Sequence, residues 1–231
     1  MIYFYASFLI YIIGVCFYID ADYHKGFKKR FSIKTLISIL YLLIAVFAFL
    51  LNRIDGRLVA VSHFKWIFSA MLLYFYGDIS MMWRDDKKSF FIGQTAYMIA
   101  SAVFIAYFTS ILLNLTGAIF TLREAGIFVG LFVIILLLTR LKSIESKLQK
   151  VFVILVSFIA SLMIAKASTL IQFMNTRFSW PLFLGVLLLS ISNALEIFEH
   201  YAQYKHRYNK GLLNVLHYIG IVILPLGIYY V

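Results

Sequence analysis

The sequence lacks several features on which enzymes commonly depend. It contains a single cysteine, Cys16, so no disulfide can form within one chain. It has no HExxH, no Cys/His cluster and no Gly-x-Ser-x-Gly, so nothing in it supports metal-dependent or serine-nucleophile chemistry. We therefore expect no metal and no cofactor. The histidines are predicted to lie in loops or at span ends: His24, His63, His200, His206 and His217.

Charged residues are also scarce, at 13% of the chain, whereas hydrophobic residues make up 63% and the mean hydropathy is +0.93. Soluble domains are about half apolar and about a quarter charged. Apolar runs of about 20 residues recur between short polar breaks, which predicts an integral membrane protein. The predicted fold class is all-α, a polytopic transmembrane helix bundle that forms one domain over residues 1–231. The predicted spans are 1–19, 35–51, 66–83, 90–113, 125–139, 151–172, 181–199 and 212–231, with seven or nine spans left open because the fifth run is short.

Acidic residues are few, 10 against 21 Lys and Arg, which gives a net charge of +11. In the eight-span topology, loops one, three, five and seven carry 15 of the basic residues, and loops two, four and six carry five. The positive-inside rule then assigns the first set to the cytoplasm and both termini to the outside. We expect the lipid bilayer and no nucleic acid as partner. Residues 1–19 have no basic n-region and no small-x-small site, so no cleavable signal is predicted.

Asp78 is the most informative residue of the chain, because it follows Gly77 inside the apolar segment 66–83. A carboxylate at bilayer depth costs about 2.5–3.5 kcal/mol on insertion scales, and it is rare unless it faces a protein interior or a wet cavity. Asp78 is therefore the first candidate for a functional residue. A structural ion pair with Lys34 is the alternative interpretation.

Further polar side chains fall at a similar predicted depth and together predict a polar pocket that opens toward the cytoplasmic leaflet. Asn193 and Glu196 are three residues apart, so they share a helix face that Ser190 extends. Ser101 lies deeper, near mid-membrane. Structural alternatives stay open, because long charged side chains reach the headgroups from span ends and amides join helices by hydrogen bonds. The residues predicted to share this depth are Lys34, Asp78, Gln94, Asn193 and Glu196.

Lys166 is a second charge predicted to lie deep in a span. Pairing with Glu124, near the outer end of span five, would give it a structural role. A Schiff-base lysine of the kind found in retinal proteins is the other interpretation. The retinal lysine belongs to the last span, and the last span here, Leu212–Val231, contains no lysine.

Four short motifs resemble those of the lysoplasmalogenase (YhhN-like) family of membrane proteins. Lys34-Thr-Leu is similar to that family's Lys-Pro-Leu, and the segment 76–82, Tyr-Gly-Asp-Ile-Ser-Met-Met, is similar to its Leu-Gly-Asp-Val-x-Leu-Met. The segments 92–97 and 185–193 resemble its Gly-x-x-x-Phe and Gly-x-x-x-Phe-x-x-Ser-Asp motifs. The chain departs from the family where Asn193 stands for an Asp, Ser101 for a His and Thr35 for a Pro.

The resemblance implies hydrolysis of the vinyl ether bond of lysoplasmalogens, with a membrane lipid or lysolipid as substrate. It implies a protein of the bacterial cytoplasmic membrane. Asp78 would be the acid or the base, and Glu196, one turn from Asn193, would supply the missing carboxylate. Lys34 would hold the phosphate, and the remaining residues predicted to line the substrate site are Gln94, Ser101 and Ser190.

Two other functions stay open at the level of the sequence. A relative that binds or moves lipid would have lost its chemistry through Asn193 and Ser101. A transporter would use Asp78 and Lys166 on a path across the membrane, although the inverted repeats and broken helices common in transporters are not evident.

Overall fold

The structure is a computed structural model that describes residues 2–24, 26–54, 60–83, 87–138, 144, 146–201 and 209–230. These residues form eight α-helices, joined in one place by a short 3₁₀ helix, Met81–Trp83, and they contain no strand. The α-helices are α1 Ile2–His24, α2 Phe27–Ile54, α3 Ala60–Ser80, α4 Lys87–Thr116, α5 Leu122–Leu138, α6 Lys147–Met174, α7 Ser179–Tyr201 and α8 Asn209–Tyr229. The prediction of an all-α bundle with about eight helices is confirmed.

Six of the eight helices in the described part of the chain are long and apolar enough to cross a membrane. The other two are α3, which carries His63, Lys65 and Asp78, and α5, which has only 17 residues. Each helix extends beyond its predicted span at one end or at both, because polar residues continue it. In particular, α2 begins at Phe27, so Lys34 lies two turns inside the helix and does not open it.

Glycines allow two helix pairs to approach closely. The most extensive contacts are between α7 and α8 and between α3 and α4. A Cβ at Gly185 would lie 2.8 Å from the Gly220 carbonyl oxygen, and a Cβ at Gly93 would lie 3.2 Å from that of Gly77. Small residues at such positions bring transmembrane backbones together, where dispersion contacts drive association.

The start of α1 and the end of α8 lie at the same end of the bundle. The Tyr5 and Tyr230 hydroxyls are 2.8 Å apart, and the Phe4 and Tyr229 rings stack. We call the opposite end, where α1 ends and α2 begins, the Asp78 end. Seven basic residues of the positive-inside count lie outside the described residues: Lys25, Arg57, Arg84, Arg140, Lys142, Lys205 and Arg207.

Lys166 on α6 and Glu124 on α5 form a buried ion pair, with 3.2 Å between Nζ and Oε1. Glu124 also accepts a hydrogen bond from the Thr121 backbone N–H, and Thr121 Oγ1 accepts one from the Glu124 N–H. This reciprocal arrangement is a capping box at the start of α5. Lys166 Nζ donates in addition to the Ile119 carbonyl. Lys166 is therefore paired with Glu124, as the structural interpretation of this lysine predicts.

Candidate functional site

The site is built around Asp78, which is completely buried near the end of α3. Three hydroxyl groups donate hydrogen bonds to its carboxylate. Ser38 Oγ and the Tyr41 hydroxyl, both on α2, reach Oδ2 at 3.0 and 3.1 Å. The Tyr97 hydroxyl on α4 reaches Oδ1 at 2.8 Å. Because an ionised carboxylate only accepts hydrogen bonds, this arrangement of three donors suits the charged form.

Two basic side chains stand beside the same carboxylate. His217 Nε2, on α8, lies 2.9 Å from Oδ1, and Lys34 Nζ, on α2, lies 4.0 Å from that atom. All three side chains are buried. A buried carboxylate needs charged partners and hydrogen bonds to offset its desolvation, and Asp78 has both.

Local sequence features explain how these side chains meet. Lys34, Ser38 and Tyr41 follow one another at intervals of four and three residues, so they lie on one face of α2. On α4, the Tyr97 ring lies against the backbone of Gly77, and a side chain at Gly77 would overlap it. The glycine before Asp78 therefore makes room for the tyrosine that binds Asp78.

A polar cavity of about 30 Å³ opens beside Asp78 at this end of the bundle. An ordered water needs about 10–15 Å³, so the cavity has room for about two waters. Glu196 lines the same cavity and accepts a hydrogen bond of 2.9 Å from Gln94 Nε2. We call this space the Asp78 cavity; its lining is Tyr18, Asp22, Arg30, Lys34, Asp78, Met81, Met82, Tyr97, Glu196, Leu213, Asn214, His217 and Tyr218.

The remaining predicted site residues lie elsewhere. Gln94, Ser101 and Asn193 line a second, smaller void of about 10 Å³, which also touches Tyr97. Ser101 Oγ donates to the Tyr97 carbonyl at 2.9 Å. Among the described residues, nothing hydrogen-bonds to Asn193 Oδ1 or to Ser190 Oγ, and Ser190 lines neither space. The predicted single pocket is therefore two spaces, joined by the Gln94–Glu196 hydrogen bond.

The prediction that His217 lies in a loop or at a span end was wrong. It lies inside α8, is 5% exposed and contacts Asp78. A signal for it was present in the sequence, because an ionisable residue within a span is a functional candidate by default. His206 lies outside the described residues. No group of three His, Cys, Asp or Glu in the described ranges is arranged to hold a metal ion.

Sequence reasoning also missed the hydroxyl donors. Tyr97 closes one of the four motifs and was not assigned to the site, and Ser38 and Tyr41 were overlooked although they share a face with Lys34. Hydroxyl residues are frequent in transmembrane helices, where many bond their own backbone as Ser157 does with the Val153 carbonyl. Whether these hydroxyl groups reach Asp78 depends on how α2, α3 and α4 pack against one another, and the sequence pattern of a single helix does not show this.

Comparison with known proteins identifies a family. The YhhN family model matches residues 57–228 of the chain. The matched segment contains Asp78, Tyr97, Asn193, Glu196 and His217, and it begins after α2. No curated protein and no solved structure gives a significant match.

Proposed function

The chain belongs to the YhhN family, the lysoplasmalogenase-like family, and from this premise we propose that it hydrolyses the vinyl ether bond of lysoplasmalogens. The products are a fatty aldehyde and a glycerophospho-base. The observation that carries the proposal is the Asp78 cavity. It combines a buried carboxylate, a histidine and a second carboxyl group, Glu196, within apolar helices.

The reaction needs one proton donor and one group that activates water. Protonation of the β-carbon of the vinyl ether converts the C=C–O unit into an oxocarbenium ion. Water adds to the carbon that bears the oxygen and loses a proton, which gives a hemiacetal. The hemiacetal hydroxyl then loses its proton as the bond from its carbon to the glycerol oxygen breaks, and the glycerol oxygen takes up a proton, which releases the aldehyde. Glycosidases also stabilise an oxocarbenium-like transition state with two carboxyl groups.

We assign the two roles from the contacts of the two carboxyl groups. Asp78 accepts three hydroxyl hydrogen bonds and faces two basic groups, so it serves as the ionised group that stabilises the oxocarbenium ion and accepts a proton from water. Glu196 then serves as the proton donor to the β-carbon. His217 holds Asp78 in place and carries the proton from water onward. Each proton-transfer group of this kind contributes about 10²–10⁴-fold in rate.

The second candidate function is a lipid-binding relative without hydrolase activity. The observation that favours it is Asn193, which stands where the family usually has Asp. No described residue hydrogen-bonds to Asn193 Oδ1. Under this alternative the native chain releases no aldehyde, and Asn193→Asp creates activity.

Lipid mass spectrometry on purified protein in detergent tests the proposal. The protein is incubated with vinyl ether lysolipids that carry ethanolamine or choline. Native protein releases long-chain aldehyde, and Asp78→Asn lowers the rate at least 100-fold. Asp20→Asn is the matched control, because Asp20 lies on the exposed side of α1. Absence of aldehyde from folded native protein would reject the hydrolase and leave the lipid-binding function.

A further inference from the structure

Two basic side chains of α2, Arg30 and Lys34, point into the Asp78 cavity. They are four residues apart, so they lie on the same face of the helix. The Lys34 side chain is 9% exposed and that of Arg30 is 24% exposed. Cations at the end of a transmembrane helix ordinarily extend to water or headgroups. These two instead line a cavity of the protein.

Among the described residues, Arg30 and Lys34 have only distant acidic partners. Arg30 Nη1 lies 3.5 Å from Asp22 Oδ1, and Lys34 Nζ lies 4.0 Å from Asp78 Oδ1. Charge-assisted hydrogen bonds are commonly 2.7–2.9 Å long, so both contacts are loose. Arg30 Nε is buried, and no described residue accepts a hydrogen bond from it. Leaving a buried donor without an acceptor costs free energy, and a bound ligand that accepts the hydrogen bond removes this cost.

The two cations favour an anionic ligand at this place. Asp22 Oδ1 lies beside Arg30 Nη1, and its other oxygen, Oδ2, accepts a hydrogen bond of 3.2 Å from Asn214 Nδ2. A phosphodiester carries one negative charge, and its oxygens suit both a guanidinium and an ammonium group.

We propose that Arg30 and Lys34 form a phosphate clamp that binds the phosphodiester of a lysophospholipid headgroup. The proposal rests on the function proposed above, and it adds Arg30 to that site. Asp22 contacts Nη1 and so orients the guanidinium, while Nε is left for the phosphate. The clamp and Asp78 line one cavity, so a bound phosphate brings the adjacent glycerol and its ether bond toward Asp78.

The test measures binding without turnover, so its result does not depend on hydrolysis. Isothermal titration calorimetry compares a saturated alkyl-ether lysophospholipid, which has no vinyl bond, with the corresponding alkylglycerol, which has no phosphate. Native protein prefers the phospholipid. Arg30→Gln and Lys34→Gln each weaken its binding about tenfold, because each removes a charged hydrogen-bond donor, and leave alkylglycerol binding unchanged.

Arg53→Gln is the matched control, because Arg53 lies at the other end of α2 above the Phe49 ring. Arg30→Lys provides a second variant that retains the charge and loses Nε, and its affinity falls between those of native protein and Arg30→Gln. Equal affinity of native protein for the two lipids, or an unchanged preference in Arg30→Gln, would overturn the clamp. If inorganic phosphate alone binds as tightly as the phospholipid, the site takes a free anion and the headgroup assignment fails. Release of aldehyde by a native protein that shows no phosphate preference would retain the hydrolase and reject the clamp alone.

Discussion

The Tyr97 hydroxyl donates a hydrogen bond of 2.8 Å to Asp78 Oδ1, and the ring of the same tyrosine lies against Gly77. One side chain of α4 therefore contacts both members of the Gly-Asp pair of α3. The hydrogen bond concerns the proposed chemistry, whereas the ring contact concerns packing. The two roles can be separated by substitutions that remove one and keep the other.

Tyr97→Phe removes the hydroxyl and keeps the ring on Gly77. We expect aldehyde release to fall about tenfold, because Asp78 loses the donor that orients Oδ1, while stability changes by about 1 kcal/mol. Steady-state kinetics and thermal unfolding in detergent measure the two effects. Tyr107→Phe on the same helix removes a hydroxyl that contacts His63 Nδ1, away from the site, and leaves activity unchanged. Equal activity of native protein and Tyr97→Phe would contradict a role for the hydroxyl.

Gly77→Ala removes the space for the Tyr97 ring and keeps every polar group. The added Cβ overlaps the ring and lies 3.1 Å from the Gly93 carbonyl oxygen. Overpacking of this kind costs about 1–3 kcal/mol, which thermal unfolding measures. Gly126→Ala is the matched control, because a Cβ there meets nothing within 4 Å. Its stability stays the same or rises by up to about 1 kcal/mol, since alanine favours the helix.

Much of the fold follows from features that are local in the sequence. Long apolar runs predict the helices because the bilayer requires internally satisfied backbone hydrogen bonds. Asp78 stands out because a buried carboxylate is costly, and Glu124 was a correct partner for Lys166 because both charges fall in the same half of the membrane. The chain also has the four motifs in the expected order. The family match over residues 57–228 confirms the resemblance and covers three of the motifs, whereas Lys34-Thr-Leu lies before the matched segment.

The rest of the site depends on how helices far apart in the sequence rotate about their axes. His217 reaches Asp78 from α8, 139 residues along the chain, and depth alone does not predict which way it points. Gly126 and Gly130 have the small-xxx-small spacing that permits close helix contact in membranes, but spacing alone does not show which way the two glycines face. A Cβ at either glycine would meet nothing within 4 Å, whereas Gly185 and Gly220, which form no such motif, lie against each other where α7 contacts α8.

His217→Gln tests whether the histidine that sequence reasoning missed belongs to the machinery. Glutamine retains a hydrogen-bond donor and removes the imidazole, which can both accept and release a proton. We expect the rate of aldehyde release to fall at least 100-fold. Steady-state kinetics of folded protein measures this rate. His63→Gln, on α3 near the opposite end, keeps the native rate. A native rate in His217→Gln would show that the imidazole does not carry the proton.

Lys166→Met tests whether the second buried charge is structural. It leaves Glu124 without its cation, and breaking a buried pair costs about 3–5 kcal/mol. The double variant Glu124→Gln/Lys166→Met recovers most of that loss, because glutamine still caps the start of α5 through the Thr121 N–H and no unpaired charge remains. Chemical unfolding in detergent compares the three proteins. Activity per folded molecule stays at the native level in both variants, since the pair is not part of the Asp78 cavity. Loss of activity in a folded Lys166→Met protein would instead give this lysine a functional role. Both alternative interpretations, a transport path and a Schiff base, require such a role.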